Sequence, residues 1–344
     1  LLTRAQMLAA ICDQRPTVAV AGTHGKTTTT SLLTHVLERA GRKPSFVIGG
    51  DVRSLETGAG WQDGDLFIVE ADESDGTHLA LPIHATILTN IDVDHLDRYT
   101  SFENIVSSFE EYVMKIDGPK VLCSDDIAVA KLAQKYAATT YGIVSEADFR
   151  ASQISFAHGA SSFMVQHRID GAYVSLGKVS VPLRGQHNVL NALAAIAMAM
   201  QCGVSFDECS GALSSFGGVA RRYEKRGEDG GVTFIDDYAH LPTEIAAVLK
   251  ASRDETDNWK RVVAVFQPNR FNRMNVLSPQ YANAFVGADL VVVTEIYASG
   301  TTPIEGVTGH LVVDAVQQAH PTATVVWQPM RKGLIDFLAN ELTA

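Results

Sequence analysis

Val18-Ala19-Val20-Ala21-Gly22-Thr23-His24-Gly25-Lys26-Thr27 is the stretch on which the fold turns. Four small apolar residues meet a glycine loop, and residues 26–40 then carry Leu32, Leu33, Val36 and Leu37 at helical spacing. Strand, glycine loop, helix is the resulting order. In that setting glycines let backbone N–H groups close on phosphates, Lys26 offers a point charge to the β and γ oxygens, and the Thr27 hydroxyl can ligate Mg²⁺. A full Walker spacing would place glycine where Val20 stands, so the loop is a shortened one. A plain strand-to-helix turn is the alternative reading of the loop alone.

Two further apolar runs, 66–69 and 85–88, are followed at once by acidic or amide residues, as in parallel strands whose carboxyl ends face a ligand. Glu70-Ala71-Asp72-Glu73-Ser74-Asp75 follows the first and Asn90-Ile91-Asp92-Val93-Asp94-His95 the second. Such carboxylates suit a divalent ion, with His95 as an added ligand, or else they cap helices and solvate turns. A helix over 102–113 and a strand over 121–123 follow. Between 149 and 183 short alternating segments broken by Gly159, Gly171 and Gly177 predict a small antiparallel patch. Gln186-His187-Asn188 opens an alanine-rich helix to 201, and Asn188 with Asn191 sets two amides on one helix face, able to hold a base or a loop or simply to cap.

A helix over 206–215 leads to a boundary at 217. Beyond it, strands at 232–235, 262–266, 290–293 and 324–327 alternate with helices starting near Pro242, Pro279 and Leu311. The expected class is α/β: a central P-loop-type ATPase domain, residues 1–216, with a mostly parallel sheet and a small antiparallel patch, then a Rossmann-like α/β domain, residues 217–344. Arg221-Arg222, Arg270 and Arg273 offer planar forks for phosphate or carboxylate, and Asp236-Asp237-Tyr238-Ala239-His240 marks another strand end.

Composition narrows the field. The chain has 344 residues, 46% hydrophobic and 19% charged, which fits two folded domains and excludes a disordered tail or a small stapled scaffold. Lys+Arg of 28 against Asp+Glu of 39 leaves a formal charge of −11, so binding duplex nucleic acid by phosphate neutralisation is excluded and any phosphate site is local. Its 4 cysteines form no C-x-x-C pair, and no segment reads as a signal or a membrane span; a cytoplasmic protein is expected.

Taken together, Gly22 to Thr30, Glu70 to Asp75, Thr89-Asn90 with Asp94-His95, His187-Asn188-x-x-Asn191, Gly218-Val219-x-Arg221-Arg222, Asp236-Asp237-Tyr238 and Gln267-Pro268-x-Arg270 closely resemble the Mur ligases of peptidoglycan synthesis. The resemblance runs from about Pro16 to the end. It implies ATP-dependent amide formation through an acyl phosphate, with UDP-N-acetylmuramate and L-alanine as the substrates its strings fit best, and ATP and Mg²⁺ as cofactors. By motif match, Gly22, Thr23, His24, Gly25, Lys26, Thr27 and Thr28 would cradle the phosphates. Lys26, Glu73 and His95 would be catalytic, and Thr27, Glu73 and His95 would hold metal. Asn188, Asn191, Arg222 and Asp237 would serve the nucleotide, and His240, Arg270 and Arg273 the amino acid's carboxylate.

Departures from the family pattern accompany the match. Several members carry a carbamylated lysine where Glu110 stands here, a residue able to supply the same charge, and Leu241 replaces a second histidine. The family's N-terminal UDP-binding domain and a last strand with its glycine turn are not found, so a two-domain fragment is expected. Rival readings are a ligase attaching a whole tripeptide, a folylpolyglutamate synthetase, which His24 disfavours, and an ATP-binding module without turnover, against which Lys26, Glu73 and His95 speak together.

Overall fold

The computed structural model describes residues 2–53, 55, 57–254 and 259–342, with the backbone alone at 96 and 97. Two compact units divide after Ala220, a few residues beyond the expected boundary at 217. In the first, one sheet has ten strands: β1 (Thr17–Ala21), β2 (Ser45–Val52), β3 (Thr57–Gly60), β4 (Phe67–Glu70), β5 (Ala85–Leu88), β6 (Lys120–Cys123), β7 (Thr139–Gly142), β8 (Phe149–Ala157), β9 (Ala160–Ile169) and β10 (Ala172–Val181), in the order β10-β9-β8-β7-β6-β5-β1-β4-β2-β3.

β1 lies between β4 and β5, parallel to both, with every residue buried. Strands covered on both faces read as continuous apolar runs, which is why β1, β4 and β5 were legible. Val20 pairs with Glu70 and Ala21 with Leu88, so the three strands end together and their following loops meet at one edge. The helix Lys26–Arg39 covers this centre, packed on the helix Gln186–Gln201. Its Leu32, Leu33, Val36 and Leu37 are fully buried, each contributing about 2 kcal/mol of transfer free energy.

The antiparallel patch is the far wing of the same sheet. β7 pairs in parallel with β8 through Tyr141 to Phe149, after which β8, β9 and β10 run as an antiparallel meander. A bulge near Gly177 bends β10, and a Cβ there would approach the Phe206 ring at 2.8 Å, so glycine is required by contact as well as by its φ of +146°.

The second unit holds an antiparallel hairpin, β11 (Glu224–Asp229) with β12 (Val232–Asp236), and a parallel sheet of β13 (Val263–Phe266), β14 (Leu290–Val293) and β15 (Val325–Trp327) in that order. The strand at 232–235, expected within the α/β alternation, pairs only in the hairpin. The helix expected near Pro279 is a 3₁₀ segment, Ser278–Asn283, which continues the helix Phe271–Leu277. Pro242 does open the helix Pro242–Arg253 at its first turn, where a missing N–H costs nothing. Among the described residues, no helix is long and apolar enough to cross a membrane.

Candidate functional site

The loop after β1 is held from the neighbouring strand end. Thr23 N–H donates to Asn90 O (3.1 Å) and His24 N–H to Asn90 Oδ1 (2.8 Å). The carbonyl of His24 accepts from Thr89 Oγ1 (2.6 Å) and Asn90 Nδ2 (3.0 Å). Gly22 has φ +125°, and a Cβ on it would lie 2.1 Å from Thr89 Oγ1; Gly25 has φ +79°, and its Cβ would lie 2.6 Å from Asn191 Oδ1. Both glycines are dictated by conformation and by space. Gly25 caps the helix Lys26–Arg39 without a side-chain bond, and Thr28 lies buried in its first turn. Helix-start N–H groups without intrahelical partners and the positive end of the dipole favour an anion at this point.

Lys26 folds back across the loop. Its Nζ donates to Gly22 O (2.6 Å) and Thr23 O (3.2 Å) and pairs with both carboxylate oxygens of Glu73 (2.8 and 3.1 Å). Burial disfavours the charged lysine, but the carboxylates of Glu73, Glu70 and Asp72 outweigh it and hold the pKa above its ordinary value. Glu73 is 3% exposed, and burial lifts its carboxyl above the usual range, only partly offset by Lys26. The Tyr99 hydroxyl anchors the Glu73 backbone through its carbonyl (2.6 Å).

Thr27 meets a different acid from the one expected. Its hydroxyl donates to Glu70 Oε1 (3.1 Å), whose other oxygen accepts the Gly49 N–H of β2 (2.9 Å), while Glu73 faces Lys26. Sequence reasoning quoted Glu70 within its string without giving it a role. The available signal was its place as the last residue of an apolar strand, the point nearest the loop. Thr27 and Glu70 offer hard oxygen donors side by side, as Mg²⁺ requires. Among the described residues no cluster of three or more His, Cys, Asp or Glu is placed to hold an ion.

His95 has φ +51°, and its Nε2 lies 3.1 Å from Asp94 Oδ2. Burial pushes Asp72 up, yet the Ser74 N–H and hydroxyl, with the charges of Lys26 and His95, bring it below its usual value, which places His95 within electrostatic reach of the first acidic string. Glu110 does not share this cluster. Its carboxylate is bonded to Lys135 and to the Tyr136 hydroxyl (3.1 Å), so the expected substitute for a carbamylated lysine is spent on a neighbouring helix. Asn191 links to Thr29 Oγ1 (3.1 Å) and Asn188 Oδ1 (3.0 Å), and Asn188 Nδ2 donates to Arg184 O (2.8 Å). The two amides brace the loop helix from beneath.

In the second unit, Asp237 accepts the N–H groups of Tyr223 and Ala239 (both 2.7 Å), and burial raises its pKa. Arg222 lies over the Tyr238 ring at 5.5 Å. The His240 N–H donates to Glu244 Oε2 (2.9 Å), its carbonyl accepts from Tyr281 Oη (2.6 Å), and Leu241 beside it is buried. Arg270 stands at φ +65°, ahead of the helix Phe271–Leu277, its N–H donating to Tyr297 O (2.9 Å). Arg273 is 8% exposed, with Nη1 donating to Asn269 Oδ1 (3.2 Å). Arg270 and Arg273 thus both stand at the helix end of one strand-to-helix loop.

These features define a phosphate-loop α/β domain followed by a second α/β unit. Residues 20–199 match the Mur ligase middle domain and 221–344 the Mur ligase, glutamate ligase domain. The chain belongs to the Mur ligase family. It is 41% identical over 345 residues to a UDP-N-acetylmuramate–L-alanine ligase of Geobacter sp. (strain M21), covering 99% of this chain and 74% of that protein. With the ligase of that name from Methylocella silvestris the identity is 43%, over 95% of this chain and 71% of the relative. The solved UDP-N-acetylmuramate–alanine ligase of Thermotoga maritima superposes with a TM-score of 0.77 at 29% identity, covering 95% of this chain and 71% of that one. A murein peptide ligase of Psychrobacter arcticus gives 0.69 at 27%, covering 99% and 75%.

Proposed function

We propose that this chain carries the ATP-dependent joining of L-alanine to UDP-N-acetylmuramate in peptidoglycan precursor synthesis. One observation carries this: 41% identity over 99% of the chain to an alanine-adding ligase, with Gly22, Gly25 and Lys26 present in the shortened phosphate loop. The substrate carboxylate attacks the γ-phosphorus of ATP and ADP leaves. The amine of alanine then attacks the acyl carbon, loses a proton, and phosphate departs as the amide forms.

Within the loop from Gly22 to Thr28, Asn90 holds the N–H groups of Thr23 and His24, so those at the helix start, Lys26 to Thr28, receive the phosphates, and Lys26 leaves Glu73 to neutralise the transferring phosphoryl group. Thr27 and Glu70 would hold Mg²⁺, with His95 from the neighbouring arm, while Glu73 poises Lys26. Bound there, the ion would supply positive charge that offsets the charge developing on the transferring phosphoryl group. Asn188 and Asn191 fix the loop helix against which the nucleotide lies, and Arg222 and Asp237 are assigned to the nucleotide by family likeness. His240, Arg270 and Arg273 receive the carboxylate of the amino acid, a task that suits planar guanidinium forks. The reaction belongs in the cytoplasm, where a reducing poise matches four unpaired cysteines.

Phosphate release by the complete gene product with UDP-N-acetylmuramate, ATP and one of L-alanine, L-serine, glycine or a tripeptide tests the assignment. L-alanine should be preferred. Preference for the tripeptide would make the protein a recycling ligase instead, and no release with any acceptor would leave a nucleotide-binding module.

A further inference from the structure

The phosphate loop and the arm that ends in His95 are joined by a contact between two side chains, beside the bond from the Asp92 N–H to Thr23 Oγ1. His24 Nε2 lies 2.8 Å from Asp92 Oδ2, with the two side chains 18% and 31% exposed. Both partners are less than one third exposed, so the contact is less screened than a surface ion pair. The backbone of His24 is fixed by Thr89 and Asn90, so its ring contact with Asp92 adds a tie to the arm beyond what the loop's main-chain bonds supply.

Asp92 is built as a bridge. Its Oδ2 meets the His24 ring and its Oδ1 accepts the N–H of Val93 (2.7 Å), the first peptide of the path to Asp94 and His95. Its own N–H donates to Thr23 Oγ1 (2.9 Å). Three residues beyond Asp92, His95 takes a left-handed φ of +51°, its N–H donating to Asp94 Oδ1 (2.8 Å).

We propose that His24 and Asp92 form a positioning pair that couples the phosphate loop to the His95 arm, so that phosphates seated on the loop and the metal donors of the arm stabilise each other's placement. This rests on the reading of the loop as an ATP site. Neither residue is a metal donor or a phosphate ligand in this account: each acts through its partner. The coupling is reciprocal, so nucleotide binding should gain more from Mg²⁺ when the pair is intact than when it is broken.

Calorimetry of ADP binding to the chain, with and without Mg²⁺, tests this for His24→Ala, Asp92→Ala, the double variant and Asp92→Glu. Each single variant should weaken Mg²⁺-ADP binding by about tenfold, and the double variant should be no weaker than either single one. Metal-free ADP binding should change by less than about twofold, and Asp92→Glu, which keeps the carboxylate, should recover most of the loss. Thermal melting should stay near the parent's, because the backbone bonds from Thr89 and Asn90 remain. Additive losses, or equal losses with and without Mg²⁺, would overturn the coupling and leave the pair a local brace. Loss on His24→Ala alone, with Asp92→Ala inert, would make His24 a direct nucleotide ligand and equally end the proposal. If the parent chain itself binds no Mg²⁺-ADP, the ATP-site reading fails, and the pair's role with it.

Discussion

Two loops in this chain do the same topological job, carrying a parallel strand into a helix, and they are built on opposite principles. The loop after β1 turns on Gly22 and Gly25, two residues in conformations that suit glycine, and presents backbone N–H groups. The loop after β13 turns on Arg270, a non-glycine at φ +65° and ψ 128°, clamped by Tyr297 and by Thr301 Oγ1, which accepts the Phe271 N–H (3.0 Å). In the proposed reading, the first loop meets its ligand through main-chain N–H groups supplemented by Lys26 and Thr27. The second would use the guanidinium groups of Arg270 and Arg273, with Arg270 in a left-handed backbone conformation. A main-chain site is spoiled by adding atoms, and a side-chain site by shortening or reshaping them.

The comparison can be broken in five places. Largest, Lys26→Ala should cut ligation by at least about 1000-fold, since it removes the one side-chain cation of the phosphate loop. It also strands the buried Glu73, so adding Glu73→Gln should recover the melting midpoint without recovering turnover. Turnover near the parent's in either variant would refute the role given to Lys26. Next, Gly22→Ala should cost about 3 kcal/mol in denaturant unfolding, because the new methyl meets Thr89 Oγ1 and φ is unsuited to alanine. A loss below about 0.5 kcal/mol would mean that the loop is soft rather than dictated.

Third, Glu70→Gln should raise the Mg²⁺ concentration for half-maximal activity about tenfold, and by more than Glu73→Gln does. The reverse order would return the ion to Glu73. Fourth, Arg273→Lys should raise the KM for L-alanine about tenfold and leave that for ATP nearly unchanged, as the charge stays and the fork is lost. Matching losses for both substrates would remove this arginine from the amino-acid site. Smallest, Arg270→Gly should stabilise the protein by roughly 0.5–1 kcal/mol while weakening alanine binding, since glycine relieves the backbone and deletes the guanidinium. Destabilisation would show that no strain resides there.

What the sequence revealed follows the same division. β1, β4 and β5 were readable because burial on both faces forces unbroken apolar runs, and the phosphate loop because its glycines are compulsory. β2 was not read: Gly49 and Gly50 interrupt its run, and Gly49 is small because Glu70 Oε2 would crowd any Cβ there, at 2.8 Å. The choice between Glu70 and Glu73 was equally out of reach. Both sit in one acidic string, and only the register of β4 beside β1 decides which carboxylate meets Thr27. Likewise β12 alternates like any other strand, and nothing local in it says that its partner is β11 rather than the parallel sheet.

The central place of β1 also sets a timetable. The strand that ends in the phosphate loop is made before both of its partners, β5 closing at Leu88, and the loop's own anchors at Thr89 and Asn90 follow. The amide that packs beneath Gly25 belongs to Asn191. At a synthesis rate of roughly 5–20 residues per second, the ribosome therefore holds an early, unpaired apolar strand for many seconds before its site can exist. By contrast, β8, β9 and β10 pair with immediate neighbours in sequence and can form as they emerge. The nascent chain should acquire nucleotide binding only after most of the first unit has left the exit tunnel, so that the phosphate loop, the first of the site's segments to be made, waits for the others before it can function.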